Sequence, residues 1–392
     1  MKICAVICEY DPFHSGHEYL IKRIKELGYA VVCIMSGSFT QRGTPAVITK
    51  YDRAMCAVSC GADLVIELPF PYCSLNAADF ADAGVCIAEK LGCVSTLAFG
   101  SETGDTETLC KIAENVISEE FTSKVNEGVK SERYGARFTS AYKALFGEAV
   151  KIGSNDLLAV EYIKALKKRN SSITPIAFKR EGYDFNSVSG EGFGSAAYVR
   201  AGIFGKGIDA VKSAVPGVSF DVIKKNEANG RIARAENLFL PYAAKFRTSE
   251  PDQFRNVAEI NEELAARIIN SASLSTNYAE LVENAKTKLY SDSRVRRAML
   301  MAMLGVHNDD VSEPSYSIIL GANSTGRAIL SDISGKIDFP LITKPADHTE
   351  YGETVKKDFT LLLRAESLWT LLLDSPRESA LNVRSSPFIS EV

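Results

Sequence analysis

The sequence has little of what would settle its class at a glance. It contains four histidines and one tryptophan, and no run of 18 apolar residues, so no stretch is long enough to cross a bilayer as a helix. CxxC pairs are missing: all nine cysteines fall between Cys4 and Cys110, in apolar runs such as "ICAVIC" and "MCAVSC". Cysteines of that kind read as small buried hydrophobes in a reducing compartment, not as a disulfide frame. A metal site on Cys56 and Cys60 lacks a second Cys or His pair at ligand spacing. No charge of either sign dominates, with 45 Lys and Arg against 49 Asp and Glu. That balance excludes a general basic field for nucleic acid, so a polyanion must meet a local patch. The opening "MKICAVIC" runs into polar residues without a small-residue cleavage site, and a soluble, cytoplasmic protein is expected. Internal repeats and low complexity are absent.

What is present suits two domains: 392 residues, 46% of them hydrophobic, exceed one domain of average size. Short β-branched runs alternate with amphipathic stretches through the first half, the pattern of a parallel sheet covered by helices. Strands are expected at 2–8, 30–35, 63–68, 95–100 and 172–178. Between the first two, "HEYLIKRIKELG" places Leu20, Ile24 and Leu27 on one helical face and Gly28 at the stop. The fold class is therefore α/β over residues 1–205, with a Rossmann-like parallel sheet. Residues 206–392 are expected to be mainly helical, from "EINEELAARIINSA", "YAELVENAKTKLY" and "FTLLLRAESLWTLLL". Within that half "SYSIILGANSTGRAILSDI" has strand-like alternation, and the end from 375 to 392 is expected to fray.

Two of the four histidines stand three residues apart in "CEYDPFHSGHEYL", where the first strand turns into the first helix. A helix start there offers unpaired N–H groups and a partial positive charge, a natural anion site. Gly16 lets the backbone approach a phosphate, while His14 and His17 can donate to phosphoryl oxygens. The C-terminal edge of such a sheet is also where open α/β folds bind ligands. Exposed loop histidines, or a metal pair, are the competing readings; the spacing is poorer for one ion than i, i+4, and no acidic third ligand is evident.

Strand, "HSGH", helix resembles the HxGH signature of the nucleotidylyltransferases, and "GSAAYVR" (194–200) is similar to their second phosphate-holding segment, with Ser195 and Arg200 in place. The run from "MSGSFTQRGTPAVITKYDRAMCAVSCGADLVIELPFPY" through "FGSE", "GSNDLLAVEYIKAL", "FKREGYDFN", "KTKLYSDSRVRRAMLMAMLGV" and "LGANSTGRAIL" resembles the bacterial tRNA(Met) cytidine acetate ligase family. The resemblance implies a nucleotidylyltransferase-like ATP-binding domain ahead of a tRNA-binding one. It also implies an activity: acetate is activated by ATP as acetyl-adenylate, and the acetyl group passes to N4 of the wobble cytidine of elongator tRNA(Met). His14 and His17 would be catalytic. Ile7, Cys8, Glu9, Tyr10, Asp11, Pro12, Phe13, Gly16, Leu20, Gly100, Asn155, Arg180, Ser195 and Arg200 would hold ATP, with Mg²⁺ as a companion of the triphosphate and no metal ligand assigned. Gly100 could equally end a strand, and Asn155 could be a helix N-cap. Gln41 and Arg42 would line the acetate or cytidine pocket. Lys286, Lys288, Arg294, Arg296 and Arg297 form the local basic patch expected for tRNA, with Tyr290 as a stacking partner. The family usually reads Lys-Arg-Tyr-Thr where this chain has Lys-Leu-Tyr-Ser. A small-molecule adenylyl- or cytidylyltransferase, or a tRNA-binding protein without catalysis, are the alternatives.

Overall fold

The run "ICAVIC" is apolar on both faces, as suits a strand covered on both sides, and it forms β1 (Ile3–Cys8) at the heart of the sheet. The computed structural model describes residues 1–128, 134–147, 150, 152–180 and 195–391. Beside β1 lie β2 (Ala30–Ser36), β3 (Leu64–Leu68), β4 (Thr96–Ser101) and β5 (Thr174–Lys179), in the order β5-β4-β1-β2-β3. All four pairings are parallel. The chain winds outward from β1 to β3 and then returns to the far side of β1 for β4 and β5. Winding reverses between β1 and β4, and a ligand crevice opens beyond the carboxyl ends of strands at such a point.

Helices α1 (Ser15–Glu26), α2 (Lys50–Ser59) and α3 (Ala77–Lys90) cover the sheet. In α1 the buried positions are Ile21 and Ile24; Leu20 is half-buried and Leu27 is 55% exposed. The expected face thus holds at Ile24 and partly at Leu20, gains Ile21 and loses Leu27, which falls at the C-cap where the chain turns out through Gly28 at φ +80.

Beyond residue 205 helices dominate: Glu262–Leu274, Tyr278–Ala285 and Glu353–Leu371 account for the three expected periodicities. Strands nevertheless return. β6 (Ser317–Ala322) pairs antiparallel with β3, and β7 (Leu341–Ile342) and β8 (Phe388–Ile389) each join β6 in parallel. The last strand of the first half ends at Lys179, before the expected boundary at 205, and the sheet itself continues across that boundary into the second half. No helix among the described residues is long and apolar enough to cross a membrane.

Charge also stitches the halves together. Lys50 of α2 donates to Glu67 of β3 at 2.8 and 2.9 Å and to Glu366 of the long C-terminal helix at 2.9 Å. Glu366 in turn accepts from Ser38 at 2.7 Å and from Asn382. All five are buried. Buried ions persist only when paired and hydrogen-bonded in this way. The tail does not fray as expected, since Asn382 is fully buried in this cluster and β8 is paired.

Candidate active site at the first strand-to-helix corner

After Cys8 the chain turns sharply, with Tyr10 in the left-handed region at φ 49. The buried Tyr10 hydroxyl meets Cys33 at 3.2 Å, and Asp11 accepts from the Val47 N–H at 2.7 Å. Beneath the turn Arg53, fully buried, donates to the carbonyls of Glu9 at 2.5 Å, Ser36 at 3.0 Å and Gly37. One guanidinium thus gathers the carboxyl ends of β1 and β2, a role that the sequence reading missed, since a buried arginine in "KYDRAMC" has no motif of its own. Of the expected ATP contacts, Ile7, Tyr10, Asp11, Pro12 and Phe13 are buried, while Cys8, Glu9, Gly16 and Leu20 are half-buried. The buried side chains set the shape of the loop.

His14 is the N-cap of α1, its backbone extended and its Nδ1 accepting from the Gly16 N–H at 3.1 Å. His17 reciprocates, its Nδ1 accepting from the His14 N–H at 3.2 Å. The two rings stack with centroids 3.5 Å apart, and Tyr10 and Phe13 bracket His17 at 4.7 and 5.6 Å. A ring nitrogen that accepts carries no proton, so in the neutral form both imidazoles hold their proton on Nε2. They are neutral: burial, then the charges of Arg180 and Arg200, push His14 down to about 3. Burial, then His14 and Arg180, push His17 well below the usual imidazole range.

This corrects the expectation of unpaired amides at the helix start. The Ser15 N–H donates to the Ala214 carbonyl at 3.2 Å, and the next N–H goes to the His14 ring. The histidines themselves are the cap, and what the corner offers an anion is two Nε2–H donors on the positive end of the helix.

The ends of β4 and β5 face the corner. Arg180 packs over Gly100, where a Cβ would lie 3.3 Å from Arg180 Cγ. Arg180 Nη1 approaches Asn155 Oδ1 at 3.4 Å, so Gly100, Asn155 and Arg180 are brought together. Asn155 is not the N-cap of its helix (Ser154–Lys168); Gly153 is, without a side chain to cap with. Glu102 does that work from the end of β4, accepting from Asn155 N–H at 3.1 Å, Asn155 Nδ2 at 2.6 Å and Asp156 N–H at 2.7 Å. Burial alone would raise the Glu102 carboxyl; the Asn155 and Asp156 donors outweigh it and hold it below its usual range. Asp156 answers by accepting from Ser101 Oγ and the Glu102 N–H. Glu102 was missed as well, since the helix start it serves lies 53 residues further along the chain.

Ser195 caps the helix Ala196–Gly205, accepting from the Tyr198 N–H at 3.2 Å. From that helix Arg200 donates to the Asp11 carbonyl at 2.6 Å and meets its carboxylate at 3.5 Å, which sets its charge against the loop. Residues 181–186 of the "FKREGYDFN" segment and Gly194 of "GSAAYVR" lie outside the described residues. Gln41 is anchored at both ends: its N–H goes to Glu9 Oε1 at 2.6 Å and its side chain to the Leu75 carbonyl at 3.0 Å. Burial raises the Glu9 carboxyl, against the bond from Gln41. Arg42 next to it is exposed.

The expected basic patch is only partly a surface. Arg297 is 7% exposed, paired with Glu259 at 3.1 Å and reaching the Gln41 carbonyl at 3.5 Å. Tyr290 is 1% exposed, its hydroxyl bonded to Glu263 at 3.0 Å, so it cannot stack on a base. Lys286 pairs with Glu283 at 2.6 Å and Arg296 with Asp292 at 3.6 Å, while Lys288 is exposed. Arg294 lies 5.2 Å over the Tyr290 ring. A turn in which Thr287 accepts from the Leu289 and Tyr290 N–H groups folds the tyrosine inward, which spacing alone does not reveal. All nine cysteines are free thiols, and Cys56 and Cys60 are pushed up to about 12 by burial. No group of three His, Cys, Asp or Glu among the described residues is placed to hold a metal.

The profile of a family described as HIGH nucleotidyl transferase matches residues 1–383. The tRNA(Met) cytidine acetate ligase of Acetivibrio thermocellus is 35% identical over 399 aligned positions, spanning 96% of each chain. That of Thermosipho africanus is 33% identical over the full length of both. Among solved structures, Thermotoga maritima TmcAL bound with alpha-thio ATP superposes with a TM-score of 0.90 at 28% identity, covering both chains completely. Its apo form gives 0.92 at the same identity and coverage.

Proposed function

The chain belongs to the HIGH nucleotidyl transferase family, among its tRNA(Met) cytidine acetate ligases, and we propose from that premise that the histidine corner joins acetate to the α-phosphate of ATP. The protein is an ATP-dependent ligase. An acetate oxygen attacks the α-phosphorus, pyrophosphate leaves, and acetyl-adenylate remains. The N4 amine of the wobble cytidine then attacks the acetyl carbon, AMP leaves, and the amine loses its proton.

The observation that carries this reading is the division of labour within each imidazole. Nδ1 is engaged in capping α1, and Nε2–H has no acceptor among the described residues. A neutral donor can bind a phosphoryl oxygen and strengthen its bond as charge builds in transfer, without first losing a proton. Arg180 and Arg200 bring permanent charge to the same corner, and the displacement needs little else than alignment and charge stabilisation. Gly100 lets Arg180 lie close against the end of β4, and Asn155, oriented by Glu102, has one remaining N–H and an acceptor to offer. Mg²⁺ would come as the chelate of ATP; the described residues supply no carboxylate set for it, and no step here is routed through it. For tRNA, Lys288 with the outward parts of Arg294 and Arg296 gives the positive face, and Arg297 acts from behind by holding the Gln41 loop.

ATP–pyrophosphate exchange with acetate, followed by transfer of labelled acetate to tRNA(Met), tests the proposal. Exchange that needs acetate and label recovered at cytidine support it. Exchange that ignores acetate, or persists when both histidines are replaced by alanine, defeats it.

A further inference from the structure

Gln41 connects the corner with a second cavity. Its N–H is held by Glu9 at 2.6 Å, and its carbonyl by Arg297 at 3.5 Å. Arg297 in turn lines a cavity of about 350 Å³ with Asn76, Asp79, Glu259, Arg294 and Asn308, which is within the size range of small-ligand sites. Two arginines face two carboxylates there, so the formal charges cancel. The cavity has no pull on a phosphate and suits a neutral, polar occupant.

Its walls are built with some strain. Glu259 stands in the left-handed region at φ 64, fixed by Asn76 N–H at 2.7 Å, Asn76 Nδ2 at 3.1 Å and Arg297 Nε at 3.1 Å. Asn256, at φ 62, accepts from Asn308 Nδ2 at 3.1 Å. Non-glycine residues held in that region gather at ligand clamps more than elsewhere. Arg294 lies with its guanidinium 5.2 Å over the Tyr290 ring, and its Nε is buried without an acceptor among the described residues.

We infer that this cavity takes one unstacked nucleoside of the RNA, lying flat on Arg294 with its edge read by Asp79 and Asn308. The inference rests on the tRNA reading above. A guanidinium plane backed by an aromatic ring is a stacking platform for a base. Carboxylates and carboxamides match the amine and ring-nitrogen edges of bases. A base is uncharged, as the cavity's cancelling charges require, and its phosphates stay outside.

The probe is free cytidine soaked into crystals, together with equilibrium binding of tRNA(Met) across a salt series. Asn308→Trp fills the cavity from an exposed position, and Arg294→Lys keeps the charge while removing the plane. Cytidine is expected in the wild-type cavity and absent with Asn308→Trp. Both variants should weaken tRNA binding about 5- to 100-fold, the worth of one stacked base, with the slope of log K against log salt unchanged because no phosphate contact is lost. An empty wild-type cavity, tRNA affinity equal to wild type in both variants, or a shallower salt slope overturns the inference. Exchange of ATP with pyrophosphate by the wild type judges the corner separately: success there with an empty cavity sinks only the nucleoside site. Cytidine bound without any tRNA affinity would refute the RNA assignment.

Discussion

His17 can be divided experimentally into its two nitrogens. Asparagine places an acceptor oxygen near the position of Nδ1 and nothing near Nε2, whereas glutamine extends an amide N–H toward Nε2 and leaves the Nδ1 position vacant. His17→Asn should therefore keep the acceptor for the His14 N–H, now 3.2 Å from Nδ1, and lose the phosphoryl donor. His17→Gln should do the reverse. Removing one donor aimed at a developing oxyanion costs about 2.7–4 kcal/mol, roughly 10²- to 10³-fold in rate, while losing a helix cap costs about 1 kcal/mol of stability. Both variants forfeit the ring contacts with Tyr10, Phe13 and His14, so that loss cancels between them. The expected outcome is a crossover: the asparagine variant is the more stable and the slower, the glutamine variant the less stable and the faster, with acetate-dependent ATP–pyrophosphate exchange and urea denaturation as readouts. If asparagine retains exchange within a factor of ten while glutamine abolishes it, the ring works through Nδ1 and the assignment of the proton to Nε2 is mistaken.

Because burial holds both imidazoles neutral, with His14 at about 3, the kcat/KM for ATP should show no acid limb near the ordinary imidazole value of about 6.5. Stability should carry the signature instead. The unfolded chain binds protons below about 6.5 that the folded corner refuses, so these groups leave stability intact above that pH and erode it as pH falls toward 3, by up to about 1.4 kcal/mol per pH unit for each ring; a flat profile measured against a double His→Asn variant would contradict it. Glu102→Gln replaces one acceptor oxygen with a donor beside Asn155 and the Asp156 N–H, and should raise the KM for ATP about tenfold with kcat little changed, read by steady-state kinetics. Lys50→Met leaves Glu67 and Glu366 buried without their cation and should cost about 3–5 kcal/mol in chemical denaturation. Adding Glu67→Gln and Glu366→Gln should restore most of that, and failure of the rescue would mean the lysine acts by packing. Lys288→Ala should lower the salt slope of tRNA binding by about one without changing exchange.

The parallel half of the fold was open to reading because its strands are buried on both faces and so appear as unbroken apolar runs between amphipathic helices. The histidine corner was equally visible, since a glycine-spaced pair at a strand end is a local signal. Local signals also explain what went unseen. "SIILGA" reads as a strand, but only the three-dimensional partner shows that it runs antiparallel to β3, some 250 residues earlier. Arg53, Glu102 and the Lys50 cluster owe their roles to contacts across the chain, and no spacing rule announces them. Arg297 and Tyr290 belong to a basic, aromatic stretch that would suit RNA if it were all on the surface; a single turn at Thr287 sends one ring inward, and Glu259 draws one guanidinium after it.

The late arrival of β6 has a consequence for anyone hoping to trim this enzyme. Until residues 317 to 389 are made, β3 is a bare edge, Lys50 and Glu67 lack Glu366, and Ser38 lacks its acceptor. An amino-terminal fragment holding every ATP contact proposed here would expose the unpaired backbone of β3 beside a Lys50–Glu67 pair stripped of its cover, a template for aggregation. The histidine corner is built by the first half of the sheet and made durable by residues some 300 positions later, so it is not a detachable module, and the first helix rests on a sheet that β6 must complete.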